Sequence, residues 1–91
     1  MRITWDPAKS EQVFKRRGIL FEQAQDIFHR PHFEDLRSDD PEQHVAIGFI
    51  GFSLVTVIFE FRQDEIGEYI WMVTCWKSTK YEERLYHEKQ S

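Results

Sequence analysis

Apolar and polar positions change their period along the chain, and each change marks an element. Arg2 to Trp5 is a short mixed run suited to an edge strand, after which Ala8, Val13 and Phe14 fall at helical spacing. Asp6 suits the N-cap of that helix and Pro7 its first position. Arg16 and Arg17, with Gly18 just beyond, give a basic last turn and a stop. A second helix is expected from Phe21, packing by Phe21, Ala24, Ile27 and Phe28. It ends before Pro31, because the residue preceding a proline is disfavoured in helical geometry.

The period then shortens to two. His32 to Leu36 reads as a strand, and Arg37-Ser38-Asp39-Asp40-Pro41 as a polar loop of turn formers. His44 to Ile50, Phe52 to Phe61 and Tyr69 to Trp76 are β-branched and aromatic runs with short connections, which predicts an antiparallel meander. In the middle run Val55, Val57, Phe59 and Phe61 face one side and Leu54, Thr56 and Ile58 the other. Both faces are therefore expected to be covered, and this strand to be central. Thr79 followed by Glu82 has the spacing of a capping box, with Tyr81, Leu85 and Tyr86 along a short helix and His87 to Ser91 expected to fray. The predicted fold is α+β over a single domain, residues 1–91. Two N-terminal helices pack on one face of a mainly antiparallel sheet of about four to five strands, and a short helix closes the chain.

Composition supports one packed core: 91 residues, 41% hydrophobic and 15% aromatic, exclude disorder as the global state. The single Cys75 cannot form an intrachain disulfide, and no Cys and His spacing fits a zinc site, so a reducing compartment and no metal are expected. The longest apolar stretch, Val45 to Phe61, is interrupted by Gly48, Gly51, Ser53, Thr56 and Glu60, and no apolar leader opens the chain. A soluble, cytoplasmic protein is expected, without a membrane span.

The net charge of −4 is unevenly spread: +3 over residues 1–20, −8 over residues 21–70 and +1 over residues 71–91. That balance argues against broad, nonspecific nucleic-acid binding but leaves room for a local basic face. Lys15, Arg16 and Arg17 also suit a solvated last turn that complements the helix dipole.

Residues at both ends carry a resemblance. Trp5-Asp6-Pro7-Ala8-Lys9, Arg16, Gly18, Phe21-Glu22, Ala24, Phe28 and Pro31 form one set. Ala46-Ile47-Gly48, Leu54-Val55, Val57 and Arg62 follow, and the tail supplies Lys77, Thr79, Lys80, Glu82, Arg84, Leu85 and Tyr86. Across essentially its whole length the chain resembles the BrnT-type ribonuclease toxins of bacterial toxin–antitoxin pairs, whose fold is of the RelE-like class. It departs from the family pattern at Arg17, where a histidine is usual, at Gln43, and at Trp71 and Trp76, both of which stand where the family has arginine.

The resemblance implies metal-independent RNA cleavage that inhibits translation, without a cofactor. It also implies neutralisation by a cognate BrnA-like, DNA-binding antitoxin, and assembly as a homodimer or a heterotetramer with that antitoxin. Cleavage needs a proton acceptor, a proton donor and cations at the developing phosphorane charge. The catalytic candidates are Arg62 and Lys77 as phosphate clamps and Glu82 or Tyr86 for the proton. Lys9, Arg16, Arg17, Lys80 and Arg84 are the RNA-binding candidates. Each has a plainer role available: Arg62 solvated at a strand end, Glu82 as a cap, Tyr86 in packing. The departures at Trp71 and Trp76 point to a second reading, a weakened or inactive relative acting as a protein-binding module. His29, His32, His44 and His87 show no recognisable catalytic or metal spacing, although His29 and His32 could meet around Pro31. Trp71 and Trp76 could stack on nucleobases, but their odd spacing predicts opposite faces of the strand or positions across a strand end, with one in the core and one toward a partner.

Overall fold

The computed structural model describes residues 1–90. Its elements are β1 (Arg2–Trp5), α1 (Pro7–Arg17), α2 (Phe21–Ala24, continued as a 3-10 turn over Gln25–His29), β2 (Phe33–Asp39), β3 (Glu42–Ile50), β4 (Ser53–Gln63), β5 (Glu68–Lys77) and α3 (Lys80–Gln90). Local chemistry sets the helix ends. Asp6 Oδ1 accepts from the Ala8 amide at 3.0 Å, and Gly18 closes α1 at φ 71°, where only glycine sits without strain. Thr79 and Glu82 make the reciprocal bonds of a capping box at the start of α3, at 3.2 and 2.8 Å.

The sheet runs in the order β1-β5-β4-β3-β2, with β4 at its centre. Consecutive strands from β2 to β5 pair antiparallel, whereas β1 lies parallel to β5, so the sheet is mixed. Alternation along the strands sorts side chains to two faces. On the first, Ala46, Val55, Val57, Phe59, Ile70, Met72 and Cys75 pack against Val13 of α1, Ile19, and Phe21, Ala24 and Ile27 of the second helical segment. On the second, Phe33, Ile47 and Leu54 receive Leu85 and Tyr86 of α3.

Four expectations are corrected. The second helix is one α-turn tightening into 3-10 geometry, because Ile27 is drawn against β3 at Gly48, where an added Cβ would lie 3.0 Å from the Ile27 Cβ. Arg37, Ser38 and Asp39 are strand residues, and the loop shrinks to Asp40 and Pro41. The final helix is as long as α1, eleven residues, and lies on the face opposite to it, so the layout differs from two helices on one face with a short tail. Within it His87 to Lys89 are helical, while Ser91 lies outside the described residues. No helix among the described residues is long and apolar enough to cross a membrane.

Asp64 ties the open edge to the β4–β5 turn. Its carboxylate accepts from the Ile66 and Gly67 amides and from both terminal nitrogens of Arg2, at 2.6 and 3.0 Å. The Arg2 contact chiefly holds the Asp64 carboxyl down at about 2, against an ordinary 3.8. A carboxyl with a lowered folded-state value stabilises above its unfolded value and loses that contribution as the pH falls. Asp64→Asn is therefore expected to lower the urea midpoint at neutral pH. Its deficit against the parent protein should narrow as the pH drops from 3.8 toward 2, measured by tryptophan emission.

Candidate nucleic-acid interface

The second face of the sheet is only partly covered. α3 lies over β2 and β3, leaving the outward positions of β5 and the far half of β4. A bulge decides what stands there. Ile58 pairs with Thr74 and Phe59 with Met72, so Val73 is the extra residue and the alternation of β5 slips by one. Met72 and Cys75, three apart, thus both enter the first core. Trp71, paired with Glu60, and Trp76, paired with Thr56, both turn to the second face. The expectation that they point to opposite faces is corrected by this one inserted residue.

Four arginines converge on the aromatic side chains of this strand. Arg62 lies 4.5 Å from the Trp71 ring centre, Arg37 and Arg17 each 5.7 Å from that of Trp76, and Arg2 5.0 Å from that of Tyr69. Such separations are those of cation–π contacts. Arg37 belongs to β2, three strands from β5 in the sheet order, so this contact is made from the other side of the sheet's second face. Ile58 on the same face is 1% exposed. Arg17 reaches from the end of α1 around the edge of β5, where β1 has stopped at the Trp5–Met72 pair, and donates to the Cys75 carbonyl at 2.8 Å.

Polar contacts fix the array. The Trp76 indole N–H donates to Glu82 at 3.0 Å, and the same carboxylate accepts from the Thr56 hydroxyl and the Thr79 amide. Arg62 donates from Nε and Nη2 to Glu60 Oε1 at 3.0 and 2.8 Å, and Gln43 donates to Glu60 Oε2 at 3.0 Å. The Gln43 bond foremost, then Arg62, lowers the Glu60 carboxyl below its ordinary value, so it is an acceptor at neutral pH. Arg2 and Arg62 are balanced by Asp64 and Glu60, whereas Arg17 and Arg37 have no ion pair among the described residues. The surface thus joins flat aromatic area to two uncompensated guanidinium charges. Burial pushes the Cys75 thiol up to about 11, against the opposing pull of Arg17, so it supplies no thiolate nucleophile at neutral pH.

The residues singled out from the sequence are divided by the fold. Arg62 and Arg17 belong to the array. Lys77 stands at the far end of β5 on the first face, where it lines an open cleft of about 440 Å³ with Gly18, Ile19, Ser53 and Val55. Arg62 pairs with Tyr69 and Lys77 with Val55, a separation of roughly 23 Å along β4 and across the sheet. These two cannot clamp one phosphate. Glu82 is committed to the cap and to Trp76, and the Tyr86 ring packs edge-on against Phe49 at 5.4 Å. Lys9 and Arg16 stand on α1, over the opposite face. Lys80 and Arg84 stand on α3, which borders the array through Glu82, and Arg84 lies 6.0 Å from the Tyr81 ring centre.

His29 and His32 line a common small cleft with Phe28, Glu34 and Phe61, while His44 stacks on Phe59. Among the described residues no group of three or more His, Cys, Asp or Glu could hold a metal ion. Arg37, Gln43, Glu60 and Tyr69 were not legible as site residues. The one available signal was the slip in apolar phase from Ile70 and Met72 to Cys75, which Trp76 masks by being apolar in the unslipped phase. No protein-family model matches the chain, and no curated protein does.

Proposed function

We propose that the chain binds single-stranded RNA across the arginine-bearing aromatic face of its sheet, as a relative of the BrnT-type, RelE-like toxins it resembles. The observation that carries this is the placement of Trp71 and Trp76 on one face, each with an arginine over its ring. Sheet surfaces that present aromatic side chains stack two or three bases of a single strand, and guanidinium groups beside them take the phosphates. A duplex does not offer its base faces to such a surface. Cleavage by Arg62, Lys77, Glu82 and Tyr86 acting together is disfavoured because these four do not meet, and RNA binding without cleavage is a reading distinct from the protein-binding module that the sequence also offered. A cognate BrnA-like antitoxin belongs to the same proposal and rests on the resemblance alone.

The test is a titration of purified protein with a single-stranded RNA of about ten nucleotides, a length within the range one such platform occupies. Tryptophan emission should be quenched, with an affinity that falls as salt rises, and a blunt duplex of the same sequence should compete poorly. Unchanged emission and no mobility shift would end the proposal. Separating the RNA on a denaturing gel afterwards decides the second question: intact RNA supports the binding role, and discrete products restore the ribonuclease reading.

A further inference from the structure

Trp71 differs from Trp76 in what lies beside it. Next to Trp76 the Glu82 carboxylate is spent on the indole, the Thr56 hydroxyl and the Thr79 amide. Next to Trp71 and directly paired with it across the strands is Glu60. Its Oε2 is held by Gln43, and its Oε1 receives two N–H groups from a flat cation that lies over the indole. Arg62 thus displays a particular recognition pattern: a planar group over Trp71, with two adjacent donors on one carboxylate.

Among the RNA bases only guanine reproduces that pattern. Its Watson–Crick edge presents N1–H and the 2-amino group side by side on a ring that stacks, and single strands leave that edge free to be read. Adenine and cytosine place an acceptor next to their amino group, and uracil places its N–H between two carbonyls. Each would set a lone pair against the carboxylate. From this geometry we infer that Trp71 and Glu60 form a guanine-selective base site, whose place the Arg62 guanidinium holds until a guanine displaces it onto a phosphate. The inference rests on the RNA-binding reading and adds a base preference to it. Gln43 keeps the carboxylate oriented through its other oxygen, and the Trp76 platform remains tolerant of any base.

The experiment compares end-labelled oligouridylates of about ten nucleotides carrying one central G, A, C or inosine, with the all-U strand as reference. By fluorescence anisotropy the G strand is expected to bind about fivefold or more tightly than the A, C and U strands, the size of discrimination a good paired contact gives. Inosine, which keeps N1–H and lacks the 2-amino group, should fall between. Glu60→Gln should erase the difference between the G and A strands, with folding checked by thermal unfolding. Free guanosine tests the displacement, since Arg62→Ala removes the internal competitor and should bind guanosine more tightly than the parent protein.

Equal affinities across the strands would overturn the guanine site and leave RNA binding standing. No binding by any strand would overturn both. A parent protein that binds guanosine as well as Arg62→Ala would overturn the displacement.

Discussion

Phe59→Ala is expected to cost about 3–5 kcal/mol of folding stability, the largest loss from any single substitution considered for this chain. The Phe59 ring is fully buried in the first core and has aromatic neighbours on several sides: Phe28 at 5.0 Å, Phe61 at 5.3 Å and the stacked His44 at 5.5 Å. These come from three different elements, so no single shift can close the hole. A domain of this length has a total stability on the order of 5–14 kcal/mol, so the variant would lose a large part of it. Phe59→Leu should cost less, because most of the volume is retained. Urea midpoints from tryptophan emission check both. The effect should extend to the candidate interface, because Phe59 pairs with Met72 at the bulge and immediately precedes Glu60. A loss below about 1 kcal/mol for Phe59→Ala would mean that this region is not packed as described.

Trp71→Ala is expected to weaken binding of single-stranded RNA by about 5- to 150-fold, the equivalent of one stacked base at 1–3 kcal/mol. Trp71 is the cleaner of the two tests, since its ring is engaged by Arg62 from above, whereas Trp76 also donates to Glu82. Trp76→Ala should weaken RNA binding by a similar factor and lower the urea midpoint as well, through the donor that Glu82 loses. The two positions are about 13 Å apart along the sheet by strand rise, far enough for their effects on binding to add. Arg37→Ala should act differently: it should reduce the slope of log affinity against log salt by about one, as expected for one lost phosphate contact. RNA affinity unchanged by both tryptophan substitutions would overturn the role of this array in RNA binding.

Several features were legible in the sequence because their causes are local. An aspartate before a proline, a glycine after a basic turn, and Thr79 three residues ahead of Glu82 act within one helical turn, and α1 and the start of α3 fall where those residues put them. The two apolar faces of β4 likewise announced a central strand, because burial on both sides leaves no polar phase. The parallel pairing of β1 with β5, separated by most of the chain, has no local signature. The extension of β2 through Arg37 to Asp39 was hidden by turn-forming residues that pairing with β3 overrides.

The site followed the same division. The sequence by itself determined that Trp71, Trp76 and Arg62 exist as candidates, and that Glu82 caps a helix. Which of them share a surface was decided only by the tertiary structure. One extra residue at Val73 inverts the facing of every position beyond it, and cross-strand register then chooses their partners. Arg37 meets Trp76, and Arg62, with Glu60 two residues before it on the same strand, meets Trp71, across strands that only folding brings together.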